Sequence, residues 1–165
     1  MAPAEVRAAC GATADRRPAD LTAGEARKAM RCLINRERRA AGVRALDRSR
    51  KLQRAAQRHS KRMRGSGCFA HRCPGEGGLE SRLRASGYLV DGLSLWRFKE
   101  NIGWGLKQRG TPRAVVDNWM TSSSHRANLL NRDYRDVGIG FVTGSPRDAD
   151  APAGIYTVNL GYRAR

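Results

Sequence analysis

Apolar residues recur every three or four positions in the first half of the chain and alternate with other residues near its end. The first helical pattern follows a capping box, in which Thr22 covers a free amide and Glu25 reaches back. It predicts a helix that stops at Gly42 and has an apolar face formed by Ala26, Ala29, Met30, Leu33 and Ile34. A second helix is predicted from Asp47, with Leu46 as its staple and an apolar face that carries Leu52, Ala55, Ala56, His59 and Met63.

The second half of the chain mixes short helices with strands. Helices are predicted over residues 79–86, from Pro112, and over residues 125–130. Strands are predicted at residues 100–104, 137–142 and 155–160, and the second of these alternates apolar residues with Gly138 and Gly140, so that one face packs and the other is approached closely. Helices first and antiparallel strands last predict an α+β domain over residues 21–165, after an arm at residues 1–20 rich in Ala, Pro and charge.

The charge of the chain is strongly positive. Lys and Arg number 32 against 15 Asp and Glu, a formal net charge of +17, and 18 of the basic residues lie in the first 64 positions. This basic protein suits anionic polymers or lipids as partners, although 27 of the 32 cations are Arg, a bias that a GC-rich genome would also produce. Nucleic-acid binding rests on charge alone, because no zinc-finger spacing, aromatic RNA-binding strand or zipper heptad is present. No apolar run is long enough for a transmembrane segment, and we expect a monomer.

Four cysteines allow three fully paired connectivities. We expect local pairing, with Cys10 joined to Cys32 and Cys68 joined to Cys73, in an oxidising and therefore extracellular or cell-surface compartment. A competing interpretation takes Cys68, His71 and Cys73 as three soft metal ligands, but a second matching cluster is absent.

Two of the three histidines lie in polar segments next to predicted helices. His59 belongs to an apolar helix face and is predicted to be a core histidine, whereas His71 and His125 flank the strand that Glu100 opens. Two imidazoles and one carboxylate are the ligand set of a catalytic zinc site. Glu100 lies 29 positions after His71 and 25 positions before His125, and this spacing alone is weak evidence.

Five motifs strengthen this hypothesis because they occur in a fixed order. They are Cys32-Leu33-Ile34-Asn35-x-x-Arg38, Phe69-Ala70-His71, Glu100-Asn101-Ile102-Gly103, the segment from Trp119 to Leu130 with Ser122, His125 and Asn128, and Val137-Gly138-Ile139-Gly140. Together they resemble the CAP superfamily, or SCP domain, named for cysteine-rich secretory, antigen 5 and pathogenesis-related 1 proteins. The resemblance is to the secreted bacterial branch and covers residues 26–162.

The resemblance implies a three-layer α-β-α sandwich with a small antiparallel sheet and a shallow cleft that carries two His and two Glu. His71, Glu100 and His125 match three of these positions, and Ser122 stands where the second Glu belongs. With one Glu and two neutral His, bound Zn²⁺ would keep a net charge of +1, so we expect a weak, exchangeable site. Asn101 is expected to orient Glu100, and Asn128 to brace the turn after His125.

Two functions follow from these expectations. The first is a secreted module without catalysis, which binds lipid or cell-envelope ligands at the His/Glu cleft. The second is a hydrolase of extracellular or cell-wall substrates, in which His71, Glu100 and His125 activate water, directly or through zinc, and Ser122 polarises the substrate. The incomplete tetrad favours the binding module. Serine attack is disfavoured because no Gly-x-Ser-x-Gly elbow surrounds Ser122.

Overall fold

The computed structural model describes residues 10–165. Within this range the chain forms five α-helices: α1 (Ala23–Ala40), α2 (Arg50–Ser66), α3 (Leu79–Ala85), α4 (Pro112–Thr121) and α5 (Ser123–Leu130). Four strands complete the fold: β1 (Asp47–Arg48), β2 (Leu95–Leu106), β3 (Asp136–Thr143) and β4 (Ala153–Ala164). The predicted arm lies partly outside the described residues, and its remainder forms two short 3₁₀ turns, Ala12–Asp15 and Pro18–Asp20. The first turn packs against α1 and buries Ala14 in the core.

The helix ends follow the capping residues. The Thr22–Glu25 capping box is present at α1, as predicted, and Thr111 caps α4 in front of Pro112. The predicted start of α2 is wrong by three residues, because Ser49 is the N-cap and its hydroxyl accepts a hydrogen bond from the Leu52 amide. The residues before it form β1, which pairs with the start of β3.

The sheet has the order β1-β3-β4-β2. The three long strands are antiparallel, and the two-residue β1 adds one parallel pair. β2 pairs with β4 from Leu95 to Leu106, so it is longer than the predicted strand at 100–104. It lies at the edge of the sheet, and this position exposes one side of β2 to the candidate site described below.

Helices cover both faces of the sheet and make the three-layer α-β-α sandwich expected from the sequence. α1, α4 and α5 lie on one face, over a core that includes Met30, Ile34, Trp119, Ile139 and Tyr156. α2 and α3 lie on the other face, where Leu52, Leu83 and Tyr88 form a second cluster and Met63, Ile102 and Ile155 a third.

The glycines of β3 allow α2 to lie directly on the strand, as the alternating pattern predicts. A Cβ atom at Gly138 would overlap the backbone of Leu52 and Gln53, and one at Gly140 would overlap the backbone of Ala56. The close contact therefore requires residues without a side chain at both positions.

A buried arginine clamps the end of α1 to the segment after α5. Arg38 is fully buried and donates to four backbone carbonyls, those of Arg44 (2.8 Å), Leu129 (2.7 Å), Asn131 (2.9 Å) and Tyr134 (3.3 Å). Burial, with the nearby charge of Arg135, lowers the pKa of Arg38 to about 10, so the guanidinium stays charged at neutral pH. The motif residue Arg38 is thus a structural element.

Both predicted disulfides are confirmed. Cys10 is joined to Cys32 and ties the residues before α1 to that helix, and Cys68 is joined to Cys73 in the loop between α2 and α3. The competing metal interpretation of Cys68, His71 and Cys73 therefore fails. Among the described helices, none is long and apolar enough to cross a membrane.

Candidate functional site

An open cleft of about 390 Å³ lies at the outer edge of β2, and it is lined by three of the predicted site residues. Glu100 lies on β2, His71 comes from the loop after α2, and His125 from the first turn of α5. Neighbouring residues of a strand point to opposite faces of the sheet. Glu100 therefore faces α2 and α3, whereas Asn101 faces α5, and the cleft reaches around the edge strand from one face to the other.

Glu100 is the centre of a buried hydrogen-bond network. Its side chain is 2% exposed, and Arg82 of α3 donates to both of its oxygens, at 2.7 and 3.1 Å. His71 Nδ1 lies 2.9 Å from Oε1. The amide of Asn159 on β4, oriented with its nitrogen toward the carboxylate, donates to Oε2 at 2.9 Å and accepts from the Ala56 amide. A carboxylate has about four lone-pair sites, and these four contacts occupy them.

This network keeps Glu100 ionised. Burial alone raises the pKa of Glu100, but the hydrogen bonds from His71 and Arg82 and the charge of Arg82 outweigh it, so that the pKa lies below its usual range. A carboxylate with a lowered pKa and no open lone pair is a poor general base.

The loop that carries His71 is held at three points. The Cys68–Cys73 disulfide closes it, Arg82 donates to the His71 carbonyl at 2.6 Å, and Glu76 accepts from the Cys73 amide at 2.9 Å. The His71 side chain nevertheless stays 60% exposed. If Nδ1 carries the proton that it donates to Glu100, Nε2 is the ring nitrogen with a lone pair, so the imidazole is oriented but open to a ligand.

His125 is more enclosed. It is half-buried, its ring centroid lies 6.4 Å from that of Trp119, and its Nδ1 has no hydrogen-bond partner among the described residues. Burial, followed by the proximity of His71, lowers the pKa of His125, so the ring is neutral at pH 7.

Two asparagines connect α5 to β2. The expectation that Asn101 orients Glu100 is wrong, because the Asn101 side chain points the other way and donates to the His125 carbonyl at 3.1 Å. Asn128 donates to Asn101 Oδ1 at 2.9 Å. Asn128 thus braces α5 as predicted, and the residues that orient Glu100 are Arg82 and Asn159.

Ser122 does not line the cleft. It is the N-cap of α5, and its hydroxyl lies 3.5 Å from that of Ser124, which does line the cleft. Within residues 10–165, no hydrogen bond joins Ser122 to His71 or His125, so the structure assembles no serine–histidine pair there.

The arrangement does not fit a zinc centre of the expected kind. All lone-pair sites of Glu100 are occupied, and Arg82 already neutralises its charge, so two imidazoles remain as ligands where a catalytic zinc needs three protein groups. No group of three His, Cys, Asp or Glu side chains in the described part of the chain is arranged to hold a metal ion. The zinc site stays a prediction that requires Glu100 to release one of these partners, and calorimetry with Zn²⁺ on wild type and His71→Ala tests it.

Sequence reasoning missed the partners of Glu100. The Arg82 side chain is 8% exposed. Its burial was predictable, because Arg82 follows Leu79 by three residues and precedes Leu83, which places it on the inner face of α3. Glu76 carries no such signal. It lies behind Arg82, and its Oε1 is 2.7 Å from Nδ1 of His59, the fully buried histidine of α2.

Comparison with known proteins identifies the family. The model of the cysteine-rich secretory protein family, CAP, matches residues 32–160. The chain is a member of the CAP family. Its CAP domain is 33% identical over 110 residues to the YkwD protein of Bacillus subtilis, an alignment that covers 67% of this chain and 40% of that protein.

Solved structures agree with this assignment. An extracellular SCP-domain protein from Bacillus anthracis shares 26% identity with a TM-score of 0.65, over 84% of this chain and 40% of that one. An outer surface protein from Borrelia burgdorferi has the same fold at 20% identity and a TM-score of 0.66, over 82% of this chain and 91% of that one. This CAP domain thus spans about 40% of the length of each Bacillus relative.

Proposed function

We propose that this CAP domain acts outside the cell as a binding module for phosphate-bearing ligands of the bacterial envelope, polymer or lipid, and does not transform them. The observation that carries the proposal is the saturated carboxylate. Glu100 is the one acid that lines the cleft within residues 10–165, and Arg82, His71 and Asn159 occupy its oxygens. An acid held in this way shapes the cleft but cannot exchange protons with a substrate.

The charges that remain at the cleft are positive. Arg72 and Lys99 line it, both are exposed, and neither forms an ion pair within the described residues. The negative charge of Glu100 is already balanced by Arg82. A ligand that enters the cleft therefore meets two uncompensated cations and the open imidazole of His71, which suits an anion.

An extracellular location agrees with two observations. Both cysteine pairs form disulfides, which persist in oxidising compartments. The Bacillus anthracis neighbour, at 26% identity, is an extracellular protein. In that compartment, wall polymers and lipid headgroups are the abundant phosphate esters.

Vesicle binding tests the proposal. Sedimentation with phosphatidylglycerol vesicles is compared between wild type, Arg72→Ala/Lys99→Ala and the charge-matched control Arg39→Ala/Arg147→Ala, which removes two exposed cations elsewhere. We expect the cleft variant to bind at least about fivefold more weakly than the control, and all binding to fall between 0.1 M and 1 M salt, as the Debye length shrinks from about 10 Å to about 3 Å. Equal binding by the two variants, or affinity unchanged by salt, would refute the proposal.

One observation favours a second candidate, a hydrolase. A buried carboxylate bonded to Nδ1 of an exposed histidine is the arrangement that orients a general base, and His71 and Glu100 have it at 2.9 Å. Hydrolysis of 4-nitrophenyl acetate by wild type and His71→Gln separates the two functions. Turnover that falls at least about a hundredfold in His71→Gln would support the hydrolase, whereas equal background rates support the binding module.

A further inference from the structure

A second pocket, of about 590 Å³, lies between α2 and α3 and is separate from the cleft at β2. Residues of α2 and α3 form most of its wall, among them Ala55, Arg58, Lys61 and Arg62 from α2, and Arg82 and Ala85 from α3. Glu76, in the loop between the two helices, completes it. A pocket of this size is typical of small-molecule sites.

The pocket carries an excess of positive charge. Arg58, Lys61 and Arg62 are exposed on neighbouring turns of α2, and none of them forms an ion pair with an acid of residues 10–165. Glu76 is the one carboxylate in the wall, and its Oε1 accepts from the Cys73 amide and lies 2.7 Å from His59 Nδ1. The wall therefore carries a net positive charge, because one carboxylate stands against the three cations of α2.

A buried donor in the same wall lacks a partner. The two terminal nitrogens of Arg82 serve Glu100 and the His71 carbonyl, but Nε has no hydrogen-bond acceptor within the described residues, and its nearest acid oxygen, on Glu76, is 3.9 Å away. The Arg82 side chain is 8% exposed. A buried N–H without an acceptor is unfavourable, so Arg82 leaves an unsatisfied donor beside the pocket.

We propose that the pocket between α2 and α3 binds a phosphate ester. The negatively charged phosphate group matches the three cations of α2. The small apolar walls formed by Ala55 and Ala85 leave room for the organic part of the ester. This site shares no lining residue with the cleft at β2, so it does not depend on the function proposed for that cleft.

NMR titration of the full chain with sn-glycerol 3-phosphate, at constant ionic strength, tests this proposal. We expect saturable shifts of amide resonances in residues 55–66 and 82–85. In Arg58→Ala/Arg62→Ala the dissociation constant should rise at least about tenfold, since two charge-assisted contacts are lost. Arg39→Ala/Arg147→Ala removes the same charge from exposed positions that line neither site and should change it less than about twofold. The dispersed spectra of both variants report whether the fold is intact.

Two results would overturn the proposal: wild type that shows no saturable binding, or two double variants that weaken binding equally, which would reveal an effect of net charge alone. A vesicle arm identifies the source of the phosphate. Sedimentation with phosphatidylglycerol that depends on Arg58 and Arg62 assigns the pocket to a lipid headgroup, and sedimentation independent of them assigns it to a soluble ester. If Arg72→Ala/Lys99→Ala sediments with vesicles as well as its control does, only the function proposed for the cleft is contradicted.

Discussion

Replacement of Arg82 by methionine tests the central claim about the cleft, that a buried guanidinium holds Glu100. Methionine keeps an unbranched, largely apolar side chain but leaves the carboxylate, which is 2% exposed, without its counter-charge. Loss of one partner of a buried ion pair costs about 3–5 kcal/mol. The two bonds to Glu100 and the bond to the His71 carbonyl disappear together, so we expect a value in this range rather than the small effect of a surface pair.

Urea unfolding with the disulfides intact measures this cost, because urea, unlike guanidinium chloride, does not screen the ion pair. Arg84→Met is the matched control. It lies two residues further along α3, pairs with the exposed Glu80, and should cost at most about 0.5 kcal/mol. Equal losses in the two variants would refute the reasoning.

The pH dependence gives a second readout of the same variant. In wild type the pKa of Glu100 is lowered, so its contribution to stability is present above the unfolded-state value of about 4.3 and is lost as the pH falls through the folded value. Without Arg82, burial should raise the pKa of Glu100. The difference in unfolding free energy between wild type and Arg82→Met should then be largest at pH 7 and shrink toward pH 4, and a difference that does not vary with pH would contradict this origin.

Three further predictions concern the fold. Gly140→Ala in β3 should cost about 1–3 kcal/mol or more, because its Cβ would overlap the backbone of α2. Gly65→Ala, within α2 and with open space around it, should instead add about 0.5–1 kcal/mol of stability. Urea unfolding of both variants checks the contrast. Arg38→Met leaves at least two buried carbonyls without a donor and should lower the unfolding free energy by about 2–6 kcal/mol. A loss below about 1 kcal/mol in the same assay would contradict the structural role of Arg38. Replacement of Cys10 and Cys32 by serine should lower stability by roughly 3 kcal/mol, as measured by thermal unfolding, and an unchanged melting temperature would show that the bridge constrains nothing.

The sequence predicted well the features that depend on local pattern. The alternation of Val137, Ile139 and Phe141 with glycine identified a strand under a helix, and the even cysteine count with short spacings identified both disulfides. It failed where a distant partner decides the structure. Asp47 begins a strand rather than a helix because it pairs with Asp136, almost ninety positions away. The first half of β2 escaped prediction because its side chains are mostly exposed and do not alternate.

For the candidate site, the residue types were predictable and their partners were not. His71, Glu100 and His125 line one cleft, but the group that governs Glu100 is one arginine among 27. Its place on the inner face of α3 distinguishes Arg82 from the solvated cations. A charged residue at an apolar position of a helix therefore indicates a buried, paired group more strongly than any single motif does.

The two buried arginines, Arg38 and Arg82, differ in what they hold, and this difference sets the order in which the fold loosens in acid. Arg38 binds only backbone carbonyls, which no accessible pH can protonate. Arg82 binds Glu100, whose charge disappears in acid. As the pH falls through the lowered pKa of Glu100, protection against hydrogen exchange should therefore be lost first in α3 and in the loop that carries His71, while the amides around the end of α1 remain protected. The part of the CAP domain that carries the cleft would open before the scaffold that supports it.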